Sequence, residues 1–130
     1  MKLQRIKYSQ LNSKQKEQYN YHKVTALLAE YGFAGILLSD DYMGADFLAI
    51  HTDGEILKVQ LKSRITISKK YQGKVLYMAF PVGDRWCLIA HDELVDMVPW
   101  LGSASWVQDG HYSAATVSKK LSLALEPYLL

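Results

Sequence analysis

The sequence predicts one α/β domain in which a mixed sheet of about five strands is flanked by helices. Three observations lead there. Helical periodicity opens the chain, a series of short strand-like runs fills its middle, and helical periodicity returns towards the end. With 130 residues, 49% of them hydrophobic and 22% charged, the chain is long enough to bury one core without disulfides or a structural metal. No repeat, low-complexity tract or linker divides it, so residues 1–130 read as a single domain.

The first helix is expected from about Ser13 to Tyr31. Asn12 or Ser13 can cap it, Gln15 stands at capping-box spacing from Asn12, and Val24, Leu27, Leu28 and Tyr31 recur at helical period before Gly32 stops it. Strands follow at Ala34–Ser39, Asp46–His51 and Glu55–Ser63, the last two joined by a Thr52-Asp53-Gly54 turn that signals a hairpin. A polar, basic segment from Arg64 to Gly73 leads to strands at Lys74–Phe80 and Arg85–Ala90, joined by the turn Pro81-Val82-Gly83-Asp84. Asp92 can cap a short helix that runs through Val98 and is ended by Pro99. Gly102 to Tyr112 reads as loop with a short strand around Trp106. Ser113 can cap a last helix carrying Val117, Leu121, Ala124, Leu125 and Tyr128.

The charge balance of +2 conceals an asymmetry. Residues 1–74 carry twelve Lys or Arg against seven Asp or Glu, a net +5, whereas residues 75–130 carry three against six, a net −3. A basic half of this kind suits a polyanionic partner, although solvated lysines on a protein surface give the same numbers. The lone Cys87 lies in the apolar run Trp86-Cys87-Leu88-Ile89-Ala90 and reads as a buried thiol in a reducing, cytoplasmic setting. No apolar stretch follows the charged N-terminus as a signal would, and no run of residues is apolar enough to span a bilayer, so no membrane partner is expected.

Chemistry concentrates in Gly44-Ala45-Asp46-Phe47-Leu48-Ala49-Ile50 and Lys58-Val59-Gln60-Leu61-Lys62-Ser63. Strand side chains alternate, so Leu57, Val59 and Leu61 face one way while Lys58, Gln60 and Lys62 face the other. In the expected hairpin Asp46 comes close to the Gln60 and Lys62 end of the next strand. Mg²⁺ takes hard oxygen ligands, which Asp46 supplies as a carboxylate and Gln60 as an amide oxygen. Lys62 beside them can orient a nucleophilic water and offset the charge that builds on a phosphate.

This ordered set resembles the PD-(D/E)XK nuclease superfamily, in which a helix carrying an acid precedes a hairpin with Asp on one strand and (Asp/Glu)-x-Lys on the next. The resemblance runs from about Gln15 to Phe80 and includes the Gly32-Phe33 pair after the helix. It implies a restriction-endonuclease-like core, dependence on Mg²⁺ or Mn²⁺, a DNA substrate and, as in many small cores of this kind, a homodimer. It also implies a catalytic set of Asp46, Gln60, Lys62 and Glu17, with Asp46 and Gln60 as metal ligands. Gln60 stands where the second acid is usual and Ala45 where Pro is usual. Relatives such as Holliday-junction resolvases carry the helix acid where this chain has Tyr21. Glu17, one turn earlier on the same face, is the substitute; an exposed acid favoured by the helix dipole is the competing account.

Arg64, Lys69, Lys70 and Lys74, with no acid among them, are expected to contact phosphates beside the site, against the alternative of a solvated sheet edge. Asn20 and His22 flank the helix stripe; surface placement is expected, with contact to substrate as the alternative. The four histidines lack a cysteine partner set, so zinc is not expected, and Trp86, Trp100 and Trp106 read as core or interface. Two further readings stay open: a catalytically impaired nuclease fold kept for DNA or protein recognition, and an unrelated α/β interaction protein whose polar strand face is merely solvated.

Overall fold

The computed structural model describes residues 1–130. Helix α1, Ser13–Ala29, starts as its capping box dictates: Gln15 donates its backbone N–H to Asn12 Oδ1 at 2.9 Å, and Asn12 donates to Gln15 Oε1 at 3.0 Å. The helix buries Asn20, Val24 and Leu28, one residue per turn along a single stripe. Gly32, at φ +86°, then turns the chain into β1, Phe33–Tyr42.

The main sheet adds β2 (Ala45–His51), β3 (Ile56–Leu61), β5 (Leu76–Val82) and β6 (Arg85–Ala90) in the order β1-β2-β3-β5-β6. Neighbours are antiparallel except β3 and β5, which run parallel from Lys58↔Leu76 to Leu61↔Ala79. A parallel neighbour cannot be reached by a tight turn, so residues 62–75 must cross over a sheet face. The segment expected to be simply polar and basic is therefore anchored. It holds β4, Thr66–Ser68, which pairs antiparallel with β7, His111–Ser113, and it buries Ile65 and Ile67.

Alternation along the strands sends apolar side chains to two cores, one on each face of the sheet. Under α1, Val24 and Leu28 meet Phe47, Ala49, Leu57, Val59 and Ala79. On the opposite face Met78, Phe80, Cys87 and Ile89 pack beneath α2 (His91–Met97), α3 (Ala104–Asp109) and α4 (Lys119–Leu125), joined by Ile65 and Ile67. No helix is long and apolar enough to cross a membrane.

Three sequence expectations fail in this second layer. Helix α2 starts at His91 with Ala90 at its N-cap, so Asp92 lies inside the first turn and does not cap the helix; its carboxylate accepts the Gly73 N–H instead. Trp106 lies in helix α3, not in a strand, because Ser103 caps that helix by accepting the Trp106 N–H at 3.2 Å and Gly110 ends it at φ +65°. The last helix is capped by Ser118 and not by Ser113, whose hydroxyl lies 3.1 Å from Thr66 Oγ1 within the β4–β7 pair. A partner strand far along the chain claimed Ser113, and nothing in the local pattern announces it. At the far edge of the sheet the C-terminus covers β6, with Leu130 N–H donating to Trp86 O at 2.8 Å. The β1 edge is open.

Candidate active-site cleft

The cleft is made by an irregularity in the β1–β2 hairpin. The ladder is regular from Phe33↔His51 to Leu37↔Phe47 and resumes at Tyr42↔Ala45, so Leu38–Asp41 bulge opposite Asp46 alone. The turn that follows uses Met43 at φ +54° and Gly44 at φ +90°, the left-handed pair of a tight two-residue hairpin turn. Gly44 is required on a second ground. A Cβ there would lie 2.7 Å from Cε1 of Tyr71, whose ring packs over the turn from the crossover.

Continuing the register Phe47↔Val59 by one step sets Asp46 across from Gln60 on the same face. Leu61 donates its N–H to Asp46 Oδ2 at 2.8 Å, which leaves Oδ1 unpaired. Gln60, only 6% exposed, donates its amide N–H to Gly44 O at 2.9 Å. A carbonyl can only accept, so the orientation of the amide is fixed and Oε1 is the atom left over. No protein group donates to it, and since no buried side-chain nitrogen or oxygen lacks a partner, Oε1 is open to the cleft that Gln60 lines. Lys62 follows at the end of β3, held by its own N–H to Ala79 O at 2.9 Å.

These groups line a cleft of about 850 Å³ between α1 and the bulge, with Glu17 on its α1 wall. Burial holds the Asp46 carboxyl above its ordinary ionisation range, and Asp41 and Glu17 push the same way; the Leu61 N–H and the Lys62 ammonium oppose them. Lys62 itself forms no ion pair, the one Lys or Arg pair in the chain being Arg85–Glu126 at 3.8 Å. The expected quartet thus comes together: Asp46, Gln60, Lys62 and Glu17 all face one cavity. Tyr21 does structural work at its position. Its ring meets Phe47 edge-on at 5.2 Å, and its hydroxyl lies 2.9 Å from where Gly35 would carry a Cβ, so it fills the space where α1 crosses β1.

Arg64, Lys69, Lys70 and Lys74 do not line the cleft. Arg64 donates to Ser113 Oγ at 2.8 Å, Lys69 lies over the Trp106 ring, Lys70 over Tyr71, and the Lys74 carbonyl accepts from Lys58. The cleft instead gathers Tyr8, Lys14, Lys16, Asp40 and Asp41, none of which the sequence singled out, and Asn20, for which contact to substrate was only the second reading. Asn20, expected at the surface, is buried and donates to the Tyr8 hydroxyl at 2.9 Å, whereas His22 is exposed as expected. The adjacent acids before Gly44 were the one available signal for the bulge.

The donor set fits a hard divalent cation at the level of one carboxylate and one neutral oxygen. Asp46 Oδ1 and Gln60 Oε1 are both free of protein donors, and a cation would offset the cost of holding a carboxylate in the buried setting that raises the Asp46 carboxyl. No group of three or more His, Cys, Asp or Glu is close enough to hold a metal without solvent or substrate.

A scan against protein-family models and a search of curated proteins return no match. Among solved structures, the bacterial homing endonuclease I-Ssp6803I aligns with 91% of this chain and 86% of its own, at 12% identity and a TM-score of 0.53. The Holliday junction resolvase Hjc of the archaeal hyperthermophile Archaeoglobus fulgidus aligns with 58% of this chain and 76% of its own, at 16% identity and a TM-score of 0.41. With α1 leading into a hairpin that carries Asp46, and with β3 delivering Gln60 and Lys62 beside a parallel β5, the chain shares its fold with the homing endonuclease I-Ssp6803I.

Proposed function

We propose that this chain is a divalent-metal-dependent DNA endonuclease that hydrolyses phosphodiester bonds in the α1–β2 cleft. The observation that carries the reading is the Asp46–Gln60 pair: two oxygens without protein donors, on residues that face each other across adjacent strands and line one cleft with Lys62. Asp46 and Gln60 would hold Mg²⁺ or Mn²⁺, which when bound polarises a phosphate oxygen and makes water a better nucleophile. Lys62, unpaired in the protein, offsets the negative charge that builds on the phosphorus oxygens and orients the attacking water. Glu17, on the facing wall, hydrogen-bonds that water and takes up its proton. Arg64, Lys69, Lys70 and Lys74 contact the DNA backbone beyond the cleft. A homodimer belongs to this reading, since cutting two strands calls for two such sites, and its mass in solution is read by light scattering.

The test is cleavage of duplex, branched and single-stranded DNA with Mg²⁺ or Mn²⁺ by the native protein, Lys62→Ala and Asp46→Ala. Cutting that needs the metal and falls at least a hundredfold in both variants is the expected result. A second reading, a catalytically impaired fold retained for recognition, draws on the neutral Gln60 and on Tyr21 at the usual position of the helix acid. It predicts salt-dependent DNA binding with no cutting under any metal.

A further inference from the structure

The two walls of the cleft have opposite charge. The bulge presents Asp40 and Asp41, while the α1 side presents Lys14 and Lys16 together with Tyr8 and Asn20. From residue 1 to residue 23 the chain carries six Lys or Arg and a single acid, Glu17, and none of these cations is spent on an internal ion pair. A phosphodiester strand entering the cleft is repelled by the bulge and drawn to the α1 wall. The lysines of the crossover cannot take this place, because they lie outside the cavity.

Tyr8 adds a different chemistry to that wall. Its hydroxyl accepts the Asn20 Nδ2 hydrogen bond at 2.9 Å, from a residue 7% exposed, and its ring meets Tyr19 in a tilted, T-shaped contact with centroids 5.2 Å apart. The ring is thus held in place yet 37% exposed at the cleft, with the Lys16 ammonium 5.4 Å from its centroid. A cation lying over an aromatic face is exchangeable. When a phosphate draws Lys16 away, the face is released to a flat, apolar partner, and a nucleobase is such a partner. Bases inside a duplex are already stacked on both faces, so the only base Tyr8 can receive is an unpaired one.

We infer that Tyr8, Lys14 and Lys16 form a binding wall for a DNA strand carrying unpaired nucleotides beside the bond to be cut, Tyr8 stacking a base and the two lysines holding its phosphates. The inference rests on the nuclease reading and narrows its substrate class to tailed, flapped or otherwise splayed DNA.

The test is equilibrium binding in EDTA, where nothing is cut, of a blunt duplex and of the same duplex with a single-stranded tail. The native protein binds the tailed DNA more tightly, and Tyr8→Ala removes that preference, a loss of about tenfold, while blunt-duplex affinity stays the same. Tyr8→Phe, which keeps the ring and loses only the Asn20 bond, retains the preference and separates stacking from loss of structure. Lys14→Gln with Lys16→Gln lowers the salt dependence of tailed-DNA binding by about two phosphate contacts. Equal affinity of Tyr8→Ala and native protein for tailed DNA, or an unchanged salt slope in the lysine variant, overturns the wall even if metal-dependent cutting is established. Conversely, a wall that behaves as described in a protein that cuts nothing with any metal leaves the wall standing and removes the nuclease. A native protein that binds neither DNA removes both.

Discussion

Val75 enters β5 at φ +55° with its side chain 75% exposed. A β-branched residue in the left-handed region is strained, and its exposed side chain repays little of the cost. Val75→Asn is expected to stabilise the protein by about 1 kcal/mol, seen as a higher urea midpoint at unchanged slope. At Asp46 the strain is electrostatic. Its folded-state carboxyl titrates above the ordinary value, so the folded state holds the proton more tightly than the unfolded chain does. The associated stability is present below pH 3.8 and is lost as pH rises through the raised value. In metal-free buffer Asp46→Asn should therefore melt higher than the native protein at pH 7, the gap closing in acid, and added Mg²⁺ should raise only the native melting temperature. Burial pushes the Cys87 thiol up to about 12, so a thiol reagent at pH 8 should label it only after unfolding. Gln60 and Lys62 were legible because a period of two puts them on one face. Asn20 was not, since its burial depends on Tyr8 reaching back from outside the helix.

Among the elements, the crossover between β3 and β5 depends most on groups distant in sequence. His91, buried at the start of α2, places Nε2 2.9 Å from Ser68 O and Nδ1 3.2 Å from Asp92 Oδ1. Both carboxylate oxygens of Asp92 in turn accept the Gly73 N–H at 3.1 Å, which lowers the Asp92 carboxyl. The turn bearing Lys69, Lys70 and Tyr71 is thus pinned at both ends to one short helix. His91→Leu strands the Ser68 carbonyl and should cost about 1–3 kcal/mol, with trypsin cleaving at Lys69 and Lys70 before global unfolding. The first helix and the β2–β3 and β5–β6 hairpins could be read from sequence because each is closed by neighbouring residues: a capping box, an Asp-Gly turn, a Val-Gly-Asp turn. The β4–β7 pair and helix α3 could not, since contacts between Thr66 and Ser113 bridge chain segments with no shared pattern.

At the scale of the whole molecule, the sheet divides two cores, and the catalytic candidates sit where that division fails, at the bulged end of the β1–β2 hairpin. Local patterning could announce antiparallel hairpins, but the parallel seam between β3 and β5 joins them through fourteen intervening residues, 62–75, and is set only by tertiary packing. The bulge has a further consequence for how the molecule breathes. Leu38–Asp41 lack ladder partners on β2, and β1 is the edge strand, so their amides have no strand neighbour on either side. In deuterium exchange they should lose protection in seconds to minutes, while the Val59–Leu61 amides, shielded between β2 and β5, exchange only by larger opening. One side of the cleft can therefore yield to an incoming strand without disturbing the side that holds Gln60 and Lys62.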